Sequence, residues 1–384
     1  MKAGVEPAEC MIRPMTSSLR LAMFADPTET HTQRWARFFV GRGHDVVVIV
    51  RHDRPAPPPV PGGPHIIRML PPRRTRRPGR WIDLVARIRA AVAEADPDLV
   101  HAHYLTANGW MAWASGFRPY VVTVWGSDVY LDLRSAKARW IGRMTLRNAA
   151  LVTADSVDLG RAAVRAGARD ARTRLIQFGV DTVAFAPSPA AALRRRLAPD
   201  GGRIVLSPRT MMPIYRHELA VAALAQLPPD VILVMSARNA WPETLQSVQD
   251  AAVRHGVEDR ILIEPELPHE NMPDYLNAAD VVVSVPSSDA TPVTVLEAFS
   301  CGRPTVVYDL PSLREWYAGV REDLVVRTPD GSAVAAALRR ALDLSTEERR
   351  ELGARSRALV RERADHESNM LAMEAHYRGL ARVR

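Results

Sequence analysis

Two acidic residues with seven residues between them lie where a predicted strand is followed by a helix. Asp289 and Glu297 belong to Ser287–Pro304, which follows the apolar run Asp280–Val285. Because proline suits the first turn of a helix, the helix start would comprise Thr291, Pro292, Val293 and Thr294. Free amides at a helix start bind anions such as a diphosphate, and a carboxylate one turn further along can accept two ribose hydroxyls. The helix dipole alone also favours an acid there, so a purely structural role stays open.

Two further polar residues stand at the ends of predicted strands. His103 closes the run Asp98–His103, and Arg209 follows Arg203–Ser207. A neutral imidazole can hydrogen-bond a sugar hydroxyl near pH 7. A core histidine and a surface arginine are the structural alternatives, and the residues alone do not decide between them.

The elements that must position these groups form two series of alternating strands and helices. The runs Asp45–Val50 and Leu151–Ala154 predict strands in the first series, Arg203–Ser207 predicts one in the second, and Pro242–His255 and Ile214–Leu227 predict helices. Alternation of this kind predicts parallel sheets covered on both faces, whose ligands bind beyond the carboxyl ends of the strands.

Length and the break between the series predict two domains in the 384-residue chain. We expect a tail over 1–18, with Met11 and Met15 as alternative starts, and a C-terminal segment over 365–384 that crosses back to the first domain. The predicted domains cover 19–185 and 202–364, and a Pro- and Gly-containing linker covers 186–201.

Composition excludes several classes of protein. Hydrophobic residues make up 47% and charged residues 24%, as in ordinary globular proteins. Two cysteines are too few for a disulfide framework or a Cys-rich metal site. The apolar runs are shorter than the roughly 20 residues that span a bilayer. We find no G-x-G-x-x-G after the first strand, which argues against a dinucleotide oxidoreductase, and no D-x-D metal-binding pattern at a strand end.

The net charge is +8, and its densest part is the group Arg73, Arg74, Arg76, Arg77 and Arg80. A solvated loop is the simplest interpretation, because arginine is abundant throughout the chain. Contact with an anionic membrane or with an acceptor is the second interpretation, and nucleic-acid binding is the least favoured.

The acidic pair resembles the signature of GT-B glycosyltransferases of family 4, which usually reads E-x7-E. Asp289 stands for the first Glu, and the positions in register are Leu296, Glu297, Ala298, Gly302, Arg303 and Pro304. Other segments resemble the family in the same order and spacing: Gly43–Val46, Asp98–His103, Thr123–Asp128, Gln177–Asp181 and His269–Tyr275. The resemblance covers nearly the whole chain.

This resemblance implies an α/β GT-B fold, with two Rossmann-like, doubly wound parallel-sheet domains facing a central cleft. It implies a retaining transferase whose nucleotide-diphosphate sugar is a co-substrate, with no metal and no other cofactor. The implied catalytic residues are His103, Asp289 and Arg209. The implied donor-binding residues are Arg209, Arg216 in place of the family lysine, Asp289, Thr291, Pro292, Val293, Thr294 and Glu297.

The acceptor side is implied at Trp125, which stands where the family has His, and at Gly126, Asp128 and His31. Asp128 has a structural alternative as the cap of a helix near Tyr130. The acceptor stays open among a glycan, a lipid-linked molecule and a small molecule, and no nucleic acid is expected. We expect a cytoplasmic protein, with peripheral contact to the inner membrane face through 73–80 as an option. The alternative functions are an epimerase or phosphorylase on the same fold, or a non-catalytic protein that binds through the arginine group.

Overall fold

The computed structural model describes residues 18–51, 63–69, 77–265, 267–318 and 320–381, with side chains in the second helix described from residue 81 onward. Two wholly parallel sheets organise the described chain. The first contains β1 Arg20–Phe24, β2 Asp45–Val50, β3 His65–Arg68, β4 Leu99–His103, β5 Tyr120–Thr123, β6 Leu151–Ala154 and β7 Thr173–Leu175. The second contains β8 Arg203–Ser207, β9 Val231–Ser236, β10 Ile261–Glu264, β11 Val281–Ser284, β12 Thr305–Tyr308 and β13 Val325–Val326.

Both sheets reverse their strand order once, which creates a crevice at the carboxyl ends of the strands. The first runs β3-β2-β1-β4-β5-β6-β7, and the second runs β10-β9-β8-β11-β12-β13. Apolar, β-branched strands such as β2 and β11 are buried almost throughout because helices cover both faces. These sheets confirm the predicted doubly wound α/β class.

Helices connect successive strands and cover the sheets. In the first half they are α1 Thr30–Gly41, α2 Arg77–Ala95, α3 Trp110–Ala114, α4 Ser127–Tyr130, α5 Ala136–Asn148 and α6 Val157–Ala166. In the second half they are α7 Ala191–Leu197, α8 His217–Leu224, α9 Pro242–His255, α10 Met272–Ala278, α11 Val293–Ser300, α12 Pro311–Tyr317, α13 Gly331–Leu342 and α14 Thr346–Arg363. A π-helix, Leu105–Gly109, precedes α3.

The last helix, α15 His366–Ala381, packs on the first sheet rather than on the second. The chain turns back where Val180 and Asp365 form an isolated parallel bridge. A Cβ at Gly179 would lie 2.7 Å from the Cα of His366, so this close crossing requires glycine. Tyr377 of α15 then contacts the Nδ1 atom of His101 at 2.5 Å and accepts a hydrogen bond from Trp35 at 3.0 Å.

The elements with uninterrupted apolar patterns have the predicted bounds, as in β2, β6, β8 and α9. The predicted helix Ile214–Leu227 is wrong at its start, because Pro213–Tyr215 form a 3₁₀ turn and Arg216 has φ 49°. The predicted linker 186–201 contains α7, which hydrogen-bonds the second half through Arg194. The arginine group of 73–80 lies outside the residues whose side chains the structure describes.

Candidate active site

A cleft of about 530 Å³ lies between the carboxyl ends of the two sheets and is lined from both halves. The first half contributes residues that end or follow β1, β4, β5, β6 and β7. The second half contributes residues that follow β8 and β11. The lining includes His31, His103, Trp125, Asp155, Phe178, Arg209, Tyr215, Asp289 and Thr291.

On the side of the second sheet, the guanidinium of Arg209 is held at three points. It donates to Asp289 Oδ2 at 2.8 Å and to Thr294 Oγ1 at 3.0 Å, and it lies 4.1 Å from the centre of the Tyr215 ring. Burial opposes the charge of Arg209, but Asp289 and Tyr215 outweigh burial and raise its pKa. The result is a fixed, oriented cation at the wall of the cleft.

The start of α11 supplies backbone amides beside this cation. Pro292 precedes the eight-residue helix, whose first amides have no carbonyl partner within the helix. The amide of Thr291 is already engaged across the cleft, because it donates to Asp155 Oδ2 at 3.2 Å. The hydroxyl of Thr291 also donates to the main-chain oxygen of Asp155, at 3.0 Å. A carboxyl group of the first half therefore occupies part of the predicted anion site.

Glu297 lies one turn into α11 and is 2% exposed. Its Oε1 atom is 2.8 Å from the Nε2 atom of His269, which is 35% exposed. Glu297 also interacts electrostatically with Arg34 of α1 and with Arg209. Neither Glu297 nor His269 belongs to the lining of the cleft, so the carboxylate predicted to bind the donor lies behind the wall formed by the second half.

On the side of the first sheet, His103 is 1% exposed and lines the cleft. Neither of its ring nitrogens has a hydrogen-bond partner among the described residues. Burial lowers the pKa of this imidazole to about 3, so it is neutral at pH 7. Its neighbour His101 differs, because its ring is fixed between Thr123 Oγ1 at 2.7 Å and Tyr377. A buried polar group without a partner costs free energy unless a ligand satisfies it.

Aromatic rings surround His103 at the same end of the cleft. His31 stacks on Phe178 with ring centres 4.5 Å apart, and the edge of its ring meets Trp125 at 5.6 Å. Burial, followed by the charge of Arg34, lowers the pKa of His31 to about 3. The rings at this end are therefore uncharged and present flat faces, which suits a sugar ring or an apolar ligand. The acidic residues Asp26 and Glu29 also line this half of the cleft.

Asp128 does not line the cleft, and two of its predicted roles need correction. It lies within α4 rather than before it, and its fully buried carboxylate accepts from the amides of Leu105, Trp125 and Gly126 at 2.6, 3.0 and 2.9 Å. Burial raises its pKa to about 6 despite these donors. Asp128 thus positions Trp125 and the π-helix rather than touching an acceptor.

Gly126, also predicted on the acceptor side, serves the contact between the two halves. Its φ is 115°, and a Cβ there would lie 2.9 Å from the Cβ of Ala290.

Arg216 is not in the position predicted for a diphosphate-binding cation. Its guanidinium donates to the carbonyls of Val285 and Pro286 and lies 4.2 Å from the Tyr308 ring. The left-handed backbone at Arg216 directs the side chain along the end of β11.

Three residues of this region had no predicted role: Asp155 and Tyr215, which line the cleft, and His269, which contacts Glu297. Asp155 directly follows β6. The expectation that ligands bind beyond the carboxyl ends of the strands, which pointed to His103, therefore applies to Asp155 as well. Tyr215 adjoins Arg216, and His269 begins a segment that already carried the resemblance. Burial raises the pKa of Asp155 well above its usual value, with a further contribution from Asp289.

The described residues hold no group of three or more His, Cys, Asp or Glu side chains arranged to bind a metal ion. Within the same part of the chain, none of the helices combines the length and apolar character needed to cross a bilayer.

Family models of glycosyltransferases match both halves of the chain. Residues 28–184 match the model of Glycosyltransferase Family 4, and residues 191–359 match that of Glycosyl transferases group 1. A D-inositol 3-phosphate glycosyltransferase of Acidothermus cellulolyticus is 25% identical, with 87% of this chain and 82% of the relative covered. Its counterpart in Xylanimonas cellulosilytica is 26% identical, with 73% and 74% covered.

Solved structures share the fold at lower identity. The Anabaena HepE protein, in complex with UDP-glucose, aligns with a TM-score of 0.79 and 18% identity over 94% of this chain and 100% of that one. Sucrose-phosphate synthase from Thermosynechococcus elongatus aligns with a TM-score of 0.80 and 21% identity, covering 95% and 99%.

Proposed function

We propose that this chain, which belongs to the GT-B glycosyltransferases of family 4, moves a sugar from a nucleotide-diphosphate donor to an acceptor hydroxyl with retention of anomeric configuration. One observation carries the proposal. The fixed cation Arg209 and the unpartnered neutral imidazole His103 line the same cleft from opposite halves. A diphosphate needs the first group, and a sugar hydroxyl can satisfy the second.

The donor would bind mainly to the second half. Arg209 would contact the diphosphate, with α11 amides as additional donors. Glu297 would accept the ribose hydroxyls once His269 turns aside or shares the site. The UDP-glucose complex of the structural neighbour makes UDP-glucose the first donor to test.

Bond exchange would take place between Arg209 and His103. The bond from the anomeric carbon to the phosphate oxygen breaks, and its electron pair stays on the phosphate, whose charge Arg209 stabilises. The acceptor oxygen attacks the same face, and its proton passes to the departing phosphate oxygen. His103 would hold a sugar hydroxyl and so orient the ring for this attack. Arginine and helix amides supply the charge stabilisation, so we expect transfer without a divalent metal.

The acceptor would bind on the first half, near His31, Trp125 and His103. We also propose contact between 73–80 and an anionic membrane surface at the inner face, because each arginine near such a surface contributes about 1 kcal/mol. Sedimentation with anionic vesicles at low and high salt tests this contact. Binding that survives replacement of all five arginines by serine would assign it to another surface.

A thermal-shift panel of nucleotide-diphosphate sugars is the experiment that tests the proposed donor class. At least one member should raise the melting temperature of the wild type, and much less that of Arg209→Ala. Arg314→Ala is the matched control, because Arg314 forms an arginine–aspartate pair on the same half but outside the cleft. A panel without any stabilising member would contradict the proposal.

An assay of products with and without acceptor then separates transfer from its alternatives. An epimerase would convert the donor without acceptor, and a phosphorylase would require inorganic phosphate. Release of nucleoside diphosphate that depends on an acceptor supports transfer.

A further inference from the structure

Two adjoining cavities outside the cleft have mostly apolar walls and share Trp81, Trp110, Lys137 and Ile141. One cavity of about 320 Å³ lies between Trp81, Trp110 and Ile141. A second, of about 300 Å³, continues past Trp113 and Trp140. Trp81 is 46% exposed, Trp140 58% and the adjacent Ile82 72%, so this is a contiguous apolar surface rather than scattered residues. We call it the tryptophan groove: Trp81, Trp110, Trp113, Trp140, Ile141 and Lys137.

A single short segment separates the tryptophan groove from the cleft. Leu105 and Thr106 of the π-helix line the groove, whereas Ala107 and Asn108 of the same helix line the cleft. The residue before this helix, Tyr104, has φ 75°, which is unfavourable for a non-glycine residue.

Side-chain contacts hold the segment in this costly shape. Tyr104 Oη and Thr106 Oγ1 both donate to Asp132 Oδ2, at 2.9 and 2.6 Å. π-Helices and strained residues concentrate at functional sites. The groove and the cleft are thus adjoining sites that one strained segment lines on its two sides.

The tryptophan groove also carries a positive charge. The Nζ atom of Lys137 lies 5.2 Å from the centre of the Trp81 ring. Lys137 is one of only two lysines in the chain, the other being Lys2. Apolar walls with one cation at the edge match an amphiphile, whose hydrocarbon chain fills the groove while an anionic group meets the ammonium.

We propose that the tryptophan groove binds the hydrocarbon chain of a lipid acceptor that carries an anionic group, with the sugar-accepting end in the cleft. This inference rests on the proposed transferase function and specifies its substrate class. It separates the chain from the relatives named for D-inositol 3-phosphate, a compound without a hydrocarbon chain. The occupant is a single lipid molecule, which distinguishes the groove from general adhesion of 73–80 to a membrane.

Titration of the full chain with dodecyl phosphate below its micellar concentration tests the inference. Wild type should bind one molecule with saturation, and Trp81→Ala should bind at least tenfold more weakly. Trp241→Ala is the matched control, because Trp241 is also 46% exposed but belongs to the second half. Lys137→Ala should lose the preference for dodecyl phosphate over dodecanol, and inorganic phosphate alone should not compete. Equal weakening by Trp81→Ala and Trp241→Ala, or no saturable binding, would overturn the inference.

Two further measurements identify which proposal fails. Size-exclusion chromatography tests whether Trp81→Ala dissociates a dimer; dissociation without binding of dodecyl phosphate would make the groove a contact between two copies and overturn the lipid assignment. Titration of the same variants with UDP-glucose reports on the cleft alone. Donor binding without dodecyl phosphate binding refutes only the lipid site. Dodecyl phosphate binding without any nucleotide-sugar binding refutes the proposed transferase and leaves a lipid site.

Discussion

The second-half wall of the cleft carries an arginine–aspartate ion pair, whereas the first-half wall carries two neutral imidazoles. On the second half, Arg209 forms an ion pair with Asp289, and behind that wall Glu297 Oε1 lies 2.8 Å from His269 Nε2. On the first half, the imidazoles of His103 and His31 are neutral, and buried nitrogens on both rings lack partners among the described residues. The ion pair keeps the Arg209 cation oriented toward a bound anion. The unpartnered imidazole nitrogens can form hydrogen bonds with hydroxyl groups of a ligand. We propose that this difference divides the site into a side that binds the diphosphate and a side that binds the sugar.

Arg209→Ala should have the largest effect on the charged wall. It removes the cation proposed for the diphosphate and leaves Asp289 without its partner, so we expect roughly a 100-fold loss of kcat/KM, or about 2–3 kcal/mol. Steady-state kinetics with the donor found by the panel measures it. The control Arg314→Ala should stay within twofold of wild type, and equal losses in the two variants would remove Arg209 from the site.

Glu297→Gln tests the buried carboxylate that lies behind the same wall. We expect donor affinity to fall by about 1–3 kcal/mol, because a charged acceptor is lost from the proposed ribose site. Calorimetric titration checks this result. Glu264→Gln is the control, since Glu264 is also buried and paired, with Arg196, but closes β10 rather than lying in α11 beside the cleft. Unchanged donor affinity in Glu297→Gln would contradict the ribose role.

The buried, neutral imidazole of His103 predicts that acid lowers the stability of the folded protein. The pKa of His103 is about 3 when folded and about 6.5 when unfolded. The unfolded chain therefore binds more protons between these values, so the unfolding free energy falls as pH drops below 6.5, by about 2 kcal/mol at pH 5. Asp128, with its raised pKa of about 6, acts in the opposite direction between about pH 4 and 6.

Comparing wild type with His103→Gln cancels the contribution of Asp128. Denaturant unfolding at pH 7 and pH 5 should show a drop in stability that is about 2 kcal/mol smaller in the variant. Identical pH dependence in the two proteins would show that His103 is not the neutral buried imidazole described here.

Chelation should have the smallest effect. With Arg209 and the α11 amides stabilising the departing phosphate, activity in excess EDTA should equal that in buffer. A complete loss that added divalent metal restores would show that the charged wall is insufficient for the diphosphate.

The sequence predicted the framework better than the fine geometry of the site. Continuous β-branched runs such as β2 can form only buried strands, so their bounds followed from composition. The expectation that ligands bind beyond the carboxyl ends of parallel strands correctly placed His103, Arg209 and Asp289 on one cleft. The direction of Arg216 was not predictable, because it depends on a left-handed residue after a 3₁₀ turn. The role of Asp128 was missed because its three amide donors come from two separate loops.

Contacts between the two halves could not be predicted from sequence patterns either. The bond from Thr291 to Asp155 joins residues 136 positions apart, and no local periodicity encodes that pairing. The tryptophan groove likewise combines residues from three separate helices, α2, α3 and α5. Spacing predicts which face of an element is apolar, whereas tertiary packing decides which apolar residues stay uncovered.

Titration of UDP-glucose, UDP and uridine into wild type, Arg209→Ala and His103→Ala tests the division of the cleft most directly. Arg209→Ala should weaken UDP and UDP-glucose by similar factors and leave uridine unchanged. His103→Ala should weaken UDP-glucose alone, because only that ligand carries the sugar. The division would be contradicted if His103→Ala weakened UDP as much as UDP-glucose, or if Arg209→Ala weakened uridine as much as UDP.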